Sequence, residues 1–347
     1  MNAPERIRLT EFSHGGGCGC KIAPAVLSEM LATMPLRGLP QDLLVGTETS
    51  DDAAVYRLSD TQALVATTDF FSPVVDDPYD FGRIAATNAI SDVYAMGARP
   101  ILALALVGMP LDKLPMSVIR KVLEGGEAVC AKAGIPVAGG HSIDTLEPIY
   151  GLVALGLAHP ENVKRNSSAR AGDVLILGKP LGIGVLSAAL KKGKLSASGY
   201  EQMVDWTTRL NTPGVAFGAM RGVHALTDVT GFGLLGHLLE ICRGSKLAAQ
   251  VRFDSLPLIS EALDWARQGV ATGASERNWK GYGHDVVFSG EDWKRKLLTD
   301  PQTSGGLLVA CSPDSERTVL AEFEKEGFAE ARVIGALSAG PAKVTVI

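Results

Sequence analysis

Apolar and polar positions along the chain switch between a period near four and a period of two, and the switches mark out the elements. Residues 22–34 (IAPAVLSEMLATM) carry apolar side chains at helical spacing, with Pro24 near the start, where its missing donor does no harm. Proline and glycine punctuate 35–47, and Glu48-Thr49-Ser50-Asp51-Asp52 then reads as a loop entering a strand at AAVYRL. A second strand over Ala63–Thr68 ends on Asp69, so two strands are expected to meet carboxylates at their ends. The stretch 80–98 (DFGRIAATNAISDVYAMGA) predicts a helix with a small-residue face, on one side of which Asn88 and Asp92 stand four apart. A strand over 100–109, a helix over about 114–133, a strand breaking into a glycine turn at Gly139-Gly140-His141-Ser142 and a strand over 149–158 complete a first unit.

The polar run 159–173 (HPENVKRNSSARAGD) reads as a linker, after which the alternation restarts. It predicts strand 174–177, helices over 183–193 and 199–220, a strand at 223–227 and a loop Thr227–Gly233 opening a helix to about 243. Strand 248–253, helix 259–268, a polar stretch 271–290, a turn Asp300–Gly306 into strand 307–311, helix 313–327 and two short strands follow. Runs of strands and helices without strict alternation favour an α+β fold. At 347 residues two domains are expected, an N-terminal one over 1–160 and a C-terminal one over 170–347.

Composition narrows the class. The chain is 46% apolar and 20% charged, as in a compact soluble enzyme rather than a disordered segment. A net charge of -5 argues against a broad nucleic-acid surface but leaves room for anionic ligands held through metal ions. Five dispersed cysteines, with no secretory signal in view, argue against a disulfide framework and for a reducing, cytoplasmic setting. The longest apolar run, Ile101–Met109, is about half a membrane span and reads as a buried strand, so no membrane partner is expected.

The candidate chemistry centres on His14-Gly15-Gly16-Gly17-Cys18-Gly19-Cys20-Lys21. Glycines let backbone fold closely around a ligand, while the ammonium of Lys21 is expected to favour the Cys18 thiolate. A flexible segment or a Cys-x-Cys metal clip would use the same residues. Asp52, Asp69, Asp92 and Asp228 form an oxygen set suited to a hard divalent cation such as Mg²⁺, although each serves equally as a cap or turn residue. Gly140, His141 and Ser142, and less distinctively Thr49, Ser50 and Asp51, offer donors to phosphate; His141 alone reads better as a structural histidine. No Walker loop is present. Asp76-Asp77 reads as a solvated pair, Gly231-Phe232-Gly233 and Gly305-Gly306 as turns or packing sites, and Cys130, Cys242 and Cys311 as inert core thiols.

Taken together, SHGGGCGCKI (13–22), DDAAVY (51–56), TTDFF (67–71), GRIAATNAISDVYAMG (82–97), GGHSID (139–144), KPLGIGVL (179–186), TDVTGFGLLGH (227–237) and DPQTSGGLL (300–308) resemble the selenophosphate synthetase (selenide, water dikinase) family along nearly the whole chain. The resemblance implies the two-domain aminoimidazole ribonucleotide synthetase-like (PurM-like) fold, a homodimer formed through N-terminal strands, and ATP lying partly across that interface. It implies conversion of ATP, selenide and water to selenophosphate, AMP and phosphate, with Mg²⁺ and a possible K⁺ requirement, and a possible selenium-delivery partner. By position, Cys18 falls on the catalytic cysteine and Lys21 on the phosphate-contacting lysine. Asp52, Asp69, Asp92 and Asp228 fall on magnesium-linked carboxylates, and Thr49, Ser50, Asp51, Gly140, His141 and Ser142 on nucleotide-contacting segments. Cys20 is not the essential position, and the Gly15-Gly16-Gly17 run departs slightly from relatives with a small side chain at its centre. Another ATP-using enzyme of the same fold would leave Cys18 and Lys21 unexplained, and a thiol-based selenium or metal carrier would leave the aspartates unexplained.

Overall fold

The structure is a computed structural model that describes residues 7–13, 15–22, 26, 30, 40–47 and 50–347. His14, Thr49 and most of the helix expected over 22–34 therefore lie outside the described residues, although Val26 and Met30 within that stretch are helical. Short strands β1 (Leu43–Val45) and β2 (Ala54–Arg57) lead into β3 (Ala63–Phe71), helix α1 (Pro78–Ala95), β4 (Arg99–Met109), helix α2 (Met116–Lys132), β5 (Val137–Asp144) and β6 (Ile149–Ala158). They form a six-stranded sheet in the order β1-β2-β3-β6-β4-β5, antiparallel except for the β4–β5 pair.

Helix α1 organises this half. Asp77 caps it by accepting from the backbone N–H of Asp80 at 3.0 Å, with Pro78 in the first turn, and Gly97 at φ 74° turns the chain out at its end. Small or apolar residues occur all round α1, so it is buried on nearly every side. Its glycine permits close packing: a Cβ on Gly82 would lie 1.9 Å from the carbonyl oxygen of Val122 in α2. Burial of Phe81, Ile84, Ile90 and Val93 stabilises the packing by about 1.5–3 kcal/mol each.

Among the described residues the opposite sheet face is mostly apolar and only partly covered. Leu64–Leu157, Ala66–Leu155–Leu102, Thr68–Val153–Leu104 and Phe70–Gly151–Leu106 line up in register across β3, β6 and β4. Most of these side chains are half-buried, and Phe70 is 51% exposed.

The C-terminal half carries β7 (Val174–Leu177), α3 (Ile183–Lys191), α4 (Ala197–Thr207), α5 (Pro213–Ala219), β8 (Val223–Asp228), α6 (Gly233–Ser245), β9 (Leu247–Val251), α7 (Ser260–Arg267) and α8 (Gly273–Tyr282). The chain ends through β10 (Val286–Phe288), α9 (Asp292–Leu298), β11 (Leu307–Cys311), α10 (Glu316–Lys325), β12 (Arg332–Ala339) and β13 (Val344–Val346). Its sheet order is β10-β13-β9-β12-β7-β11-β8.

Several elements differ from the sequence pattern. The expected helix 199–220 is two helices, because Pro213 restarts the helix and the buried Asn211 spends its amide on Ser91 Oγ and the Gly305 carbonyl. The polar stretch 271–290 contains α8 and β10; α8 is capped by Thr272, whose hydroxyl accepts from Ser275 N–H at 3.2 Å, without an apolar stripe to announce it. The run 159–173 is docked rather than solvated, with Lys164 donating to the carbonyls of Met220 and Val223 and Asn166 fully buried. Asp76 accepts from Arg8 and Thr10, and Asp77 caps α1, so neither is a free loop carboxylate.

Candidate active site

The Cys18 turn is seated between the two halves. Gly17 N–H donates to Ser72 O at 2.9 Å on the N-terminal side. On the C-terminal side, Cys18 N–H donates to Thr303 Oγ1 at 3.1 Å and Arg277 donates to Gly19 O at 2.9 Å. Gly231 packs beneath, where a Cβ would stand 3.0 Å from both Cys18 O and Lys21 Cδ. Cys18 is 1% exposed, and its thiol donates to Asn88 Oδ1 at 3.1 Å. Burial pushes the thiol well above its ordinary pKa, and the opposing pull of Lys21 is smaller. The expected thiolate is therefore replaced, in this closed arrangement, by a hydrogen-bonded thiol.

Asn88 connects this thiol to the next charge. Its Nδ2 donates to Asp69 Oδ2, which lies 3.5 Å from Lys21 Nζ. Asp69 chiefly, with Asp92 and Asp228 among smaller contributions, holds the Lys21 ammonium well above its ordinary pKa. The Lys21 side chain is 39% exposed, so water screens the pair and leaves the ammonium accessible. Asp69 stands inside β3 rather than at its end, because the strand continues to Phe71.

Asp52, Asp92 and Asp228 each place a carboxylate oxygen within 4.8 Å of the others. They come from the turn before β2, from α1 and from the last residue of β8, and hydroxyls orient all three. Thr227 Oγ1 donates to Asp52 Oδ1 at 2.9 Å, Thr67 Oγ1 to Asp92 Oδ2, and Ser91 Oγ to Asp228 Oδ2. Among the described residues, Asp52 Oδ2 and Asp228 Oδ1 are buried and find no hydrogen-bond partner. Burial, and after it the charge of Asp228, raises Asp52 and Asp92 well above the usual carboxylate range; burial also raises Asp228, opposed by Ser91. Within 4.8 Å each ionised pair repels by at least about 3.5 kcal/mol at an effective dielectric near 20. Protons or a cation must offset that repulsion, and an all-oxygen set with two orphaned oxygens fits a hard divalent ion.

The other sequence candidates lie apart. Ser50 O and Asp51 Oδ1 accept from Asn166, the latter at 2.6 Å, so this segment is tied to the 159–173 run. Gly140, His141 and Ser142 do not form a turn: they lie within β5 at the exposed sheet edge, and His141 is exposed rather than structural. In the order β3-β6-β4-β5 that strand is three places from Asp69, roughly 14 Å at ordinary strand spacing. They line a groove of about 370 Å³ with Leu123, Glu127 and Tyr150. The sequence reading missed Thr67, Ser91, Thr227, Thr303 and Arg277, and placed Asn88 on the correct helix without a role. Thr227 and Ser91 each directly precede an aspartate of the trio, which is the available signal, although each donates to a different member, Asp52 and Asp228. Gly305 and Gly306 are packing sites, where a Cβ would fall 1.7 Å from Val229 O and 2.3 Å from Lys179 N. Cys130, Cys242 and Cys311 are buried, with thiols pushed up to about 11, 12 and 12.

Residues 50–158 match the AIR synthase related protein N-terminal domain, and 170–347 match the corresponding C-terminal domain. Solved structures of similar shape include thiamine-monophosphate kinase from Stenotrophomonas maltophilia (22% identity, TM-score 0.65, 94% of this chain and 96% of that one). Another is the hydrogenase maturation protein HypE in complex with ATP (19% identity, TM-score 0.64, covering 98% and 94%). These show the PurM-like fold. Sequence likeness goes further: proteins named selenide, water dikinase are 66% identical in Burkholderia pseudomallei (98% of this chain, 96% of that one), 62% in Pseudomonas straminea (98% and 96%) and 56% in Rhizobium meliloti (98% and 98%). On that identity over nearly its full length, the chain belongs to the selenide, water dikinase family.

Proposed function

We propose that the protein makes selenophosphate from ATP, selenide and water, releasing AMP and phosphate. The observation that carries this reading is the seating of the Cys18–Lys21 turn against Asp69 beside the Asp52, Asp92, Asp228 cluster. A soft sulfur, a part-exposed cation and a hard-metal pocket converge there, as phosphoryl transfer to a chalcogen anion requires. Cys18 holds or delivers selenium. Lys21 exchanges Asp69 for the oxygens of the transferred phosphoryl group. Asp52, Asp92 and Asp228 would hold Mg²⁺, with Asp69 at the margin, and the ion supplies charge neutralisation for the polyphosphate when bound. Closure of the glycine turn keeps selenide from solvent.

The apolar face of β3, β6 and β4, left partly exposed among the described residues, supports a homodimer, since contiguous exposed apolar side chains mark interaction surfaces. Residues 1–160 then form the ATP-binding and dimerising unit and 170–347 the second unit. Gly140, His141 and Ser142, too distant from the aspartates of their own chain, serve with Thr49, Ser50 and Asp51 as nucleotide contacts in a site shared between copies. Five free cysteines support a cytoplasmic, reducing setting. Among the described residues no helix is long and apolar enough to cross a membrane.

Anaerobic phosphorus NMR with ATP, Mg²⁺ and selenide tests the reaction. Selenophosphate, AMP and phosphate are expected together, and absent when selenide is withheld; intact ATP with folded protein would overturn the assignment.

A further inference from the structure

We propose that Thr303, from the C-terminal half, is a positioning residue for the Cys18 thiol, so that the second half of the chain sets the state of a nucleophile carried by the first. The inference deepens the selenophosphate reading and rests on it for its kinetic arm. Thr303 is 3% exposed and its Oγ1 accepts from Cys18 N–H at 3.1 Å. Gly17 is shaped to this contact: it sits at φ 55°, and a Cβ there would lie 2.3 Å from Thr303 Oγ1. The next residue makes a second link. Ser304 N–H donates at 2.8 Å to Asn88 Oδ1, the same oxygen that accepts from the Cys18 thiol. Thr303 and Asn88 thus fix the backbone and side chain of Cys18 at once.

The segment is built to hold position. Ser304 adopts φ 51°, unusual for a residue with a side chain, and its hydroxyl donates to Ile84 O at 3.0 Å. The buried Lys179 Nζ donates to Ser304 O at 2.8 Å, and Gln302 N–H donates to Thr230 O at 2.9 Å. A segment pinned from both halves gives the Cys18 turn a fixed place to dock. Without the Thr303 hydroxyl the buried Cys18 N–H has no acceptor, and the closed turn is disfavoured by about tenfold.

The test uses the full-length, reduced protein under anaerobic conditions. Alkylation of Cys18 by iodoacetamide is followed by tandem mass spectrometry, whose fragment ions separate it from Cys20 on the same peptide, alongside AMP release with selenide. Thr303→Val is expected to speed Cys18 alkylation about tenfold and lower kcat about tenfold, leaving the KM for ATP within about twofold. Thr303→Ser, which keeps the acceptor, is expected to restore both. Parental alkylation and turnover in Thr303→Val would overturn the proposal, as would equal losses in Thr303→Ser and Thr303→Val. Should Thr303→Val not fold, Thr303→Ala carries the same two readouts without added bulk. If the parent makes no selenophosphate, the dikinase reading fails, while the alkylation arm still decides whether Thr303 holds Cys18.

Discussion

Asp228 shows what a single residue gives up for the site. Its folded-state pKa is raised from 3.8 by burial, as are those of Asp52 and Asp92. A carboxyl raised in this way lends stability that is fully present below the unfolded value and lost as pH rises through the folded one. Metal-free protein is therefore expected to lose stability from about pH 4 upward. Asp228→Asn should raise its Tm at neutral pH by roughly 2 °C or more and abolish the gain on adding Mg²⁺, while removing turnover; scanning fluorimetry from pH 5 to 8 with EDTA or Mg²⁺ checks the first two, and selenide-dependent AMP release checks the third. Cys18 makes a different trade. Cys18→Ser keeps a donor to Asn88 but loses the polarisable sulfur, so ATP affinity by equilibrium dialysis should stay within about threefold while selenide-dependent AMP release disappears.

Among the elements, the N-terminus of α3 is stoppered by side chains of the 300–306 turn. Asp300 accepts from Val185 N–H at 3.0 Å and from Thr272 at 3.2 Å, while Gln302 Oε1 accepts from the N–H groups of Gly182 and Ile183. Burial pushes Asp300 up to about 7, so its share of stability is complete below 3.8 and fades as pH climbs through 7. Asp300→Asn should flatten that slope, shrinking the difference in urea stability between pH 5 and pH 8 by about 2–3 kcal/mol. The sequence made β6 and β7 legible to the residue, since an uninterrupted apolar run bounded by polar residues has few alternatives. It could not show α8 or the break before Pro213, where capping and a buried asparagine outrank periodicity. The four aspartates were visible as residue types. Their division into a clustered trio and a lysine-paired Asp69 depends on which way each side chain leaves its element, and no local pattern encodes that.

At the scale of the whole molecule the open face of the N-terminal sheet is the decisive feature. Leu155 sits at its centre, flanked in register by Ala66 and Leu102. In the proposed dimer Leu155→Glu places a charge where a second sheet would pack; sedimentation velocity at micromolar concentration should then show a dimeric parent and a monomeric variant, with loss of turnover. The separation of β5 from the aspartates carries this further, into inheritance. If one copy supplies Gly140, His141 and Ser142 to its neighbour's carboxylates, lesions in the two sets damage different sites of a mixed pair. A chain carrying Asp228→Asn and a chain carrying His141→Ala with Ser142→Ala would each be dead alone. Together they would leave one undamaged site in every mixed dimer, restoring about a quarter of parental activity under random pairing. Two alleles of this gene would then rescue each other, which no monomeric enzyme with a self-contained site allows.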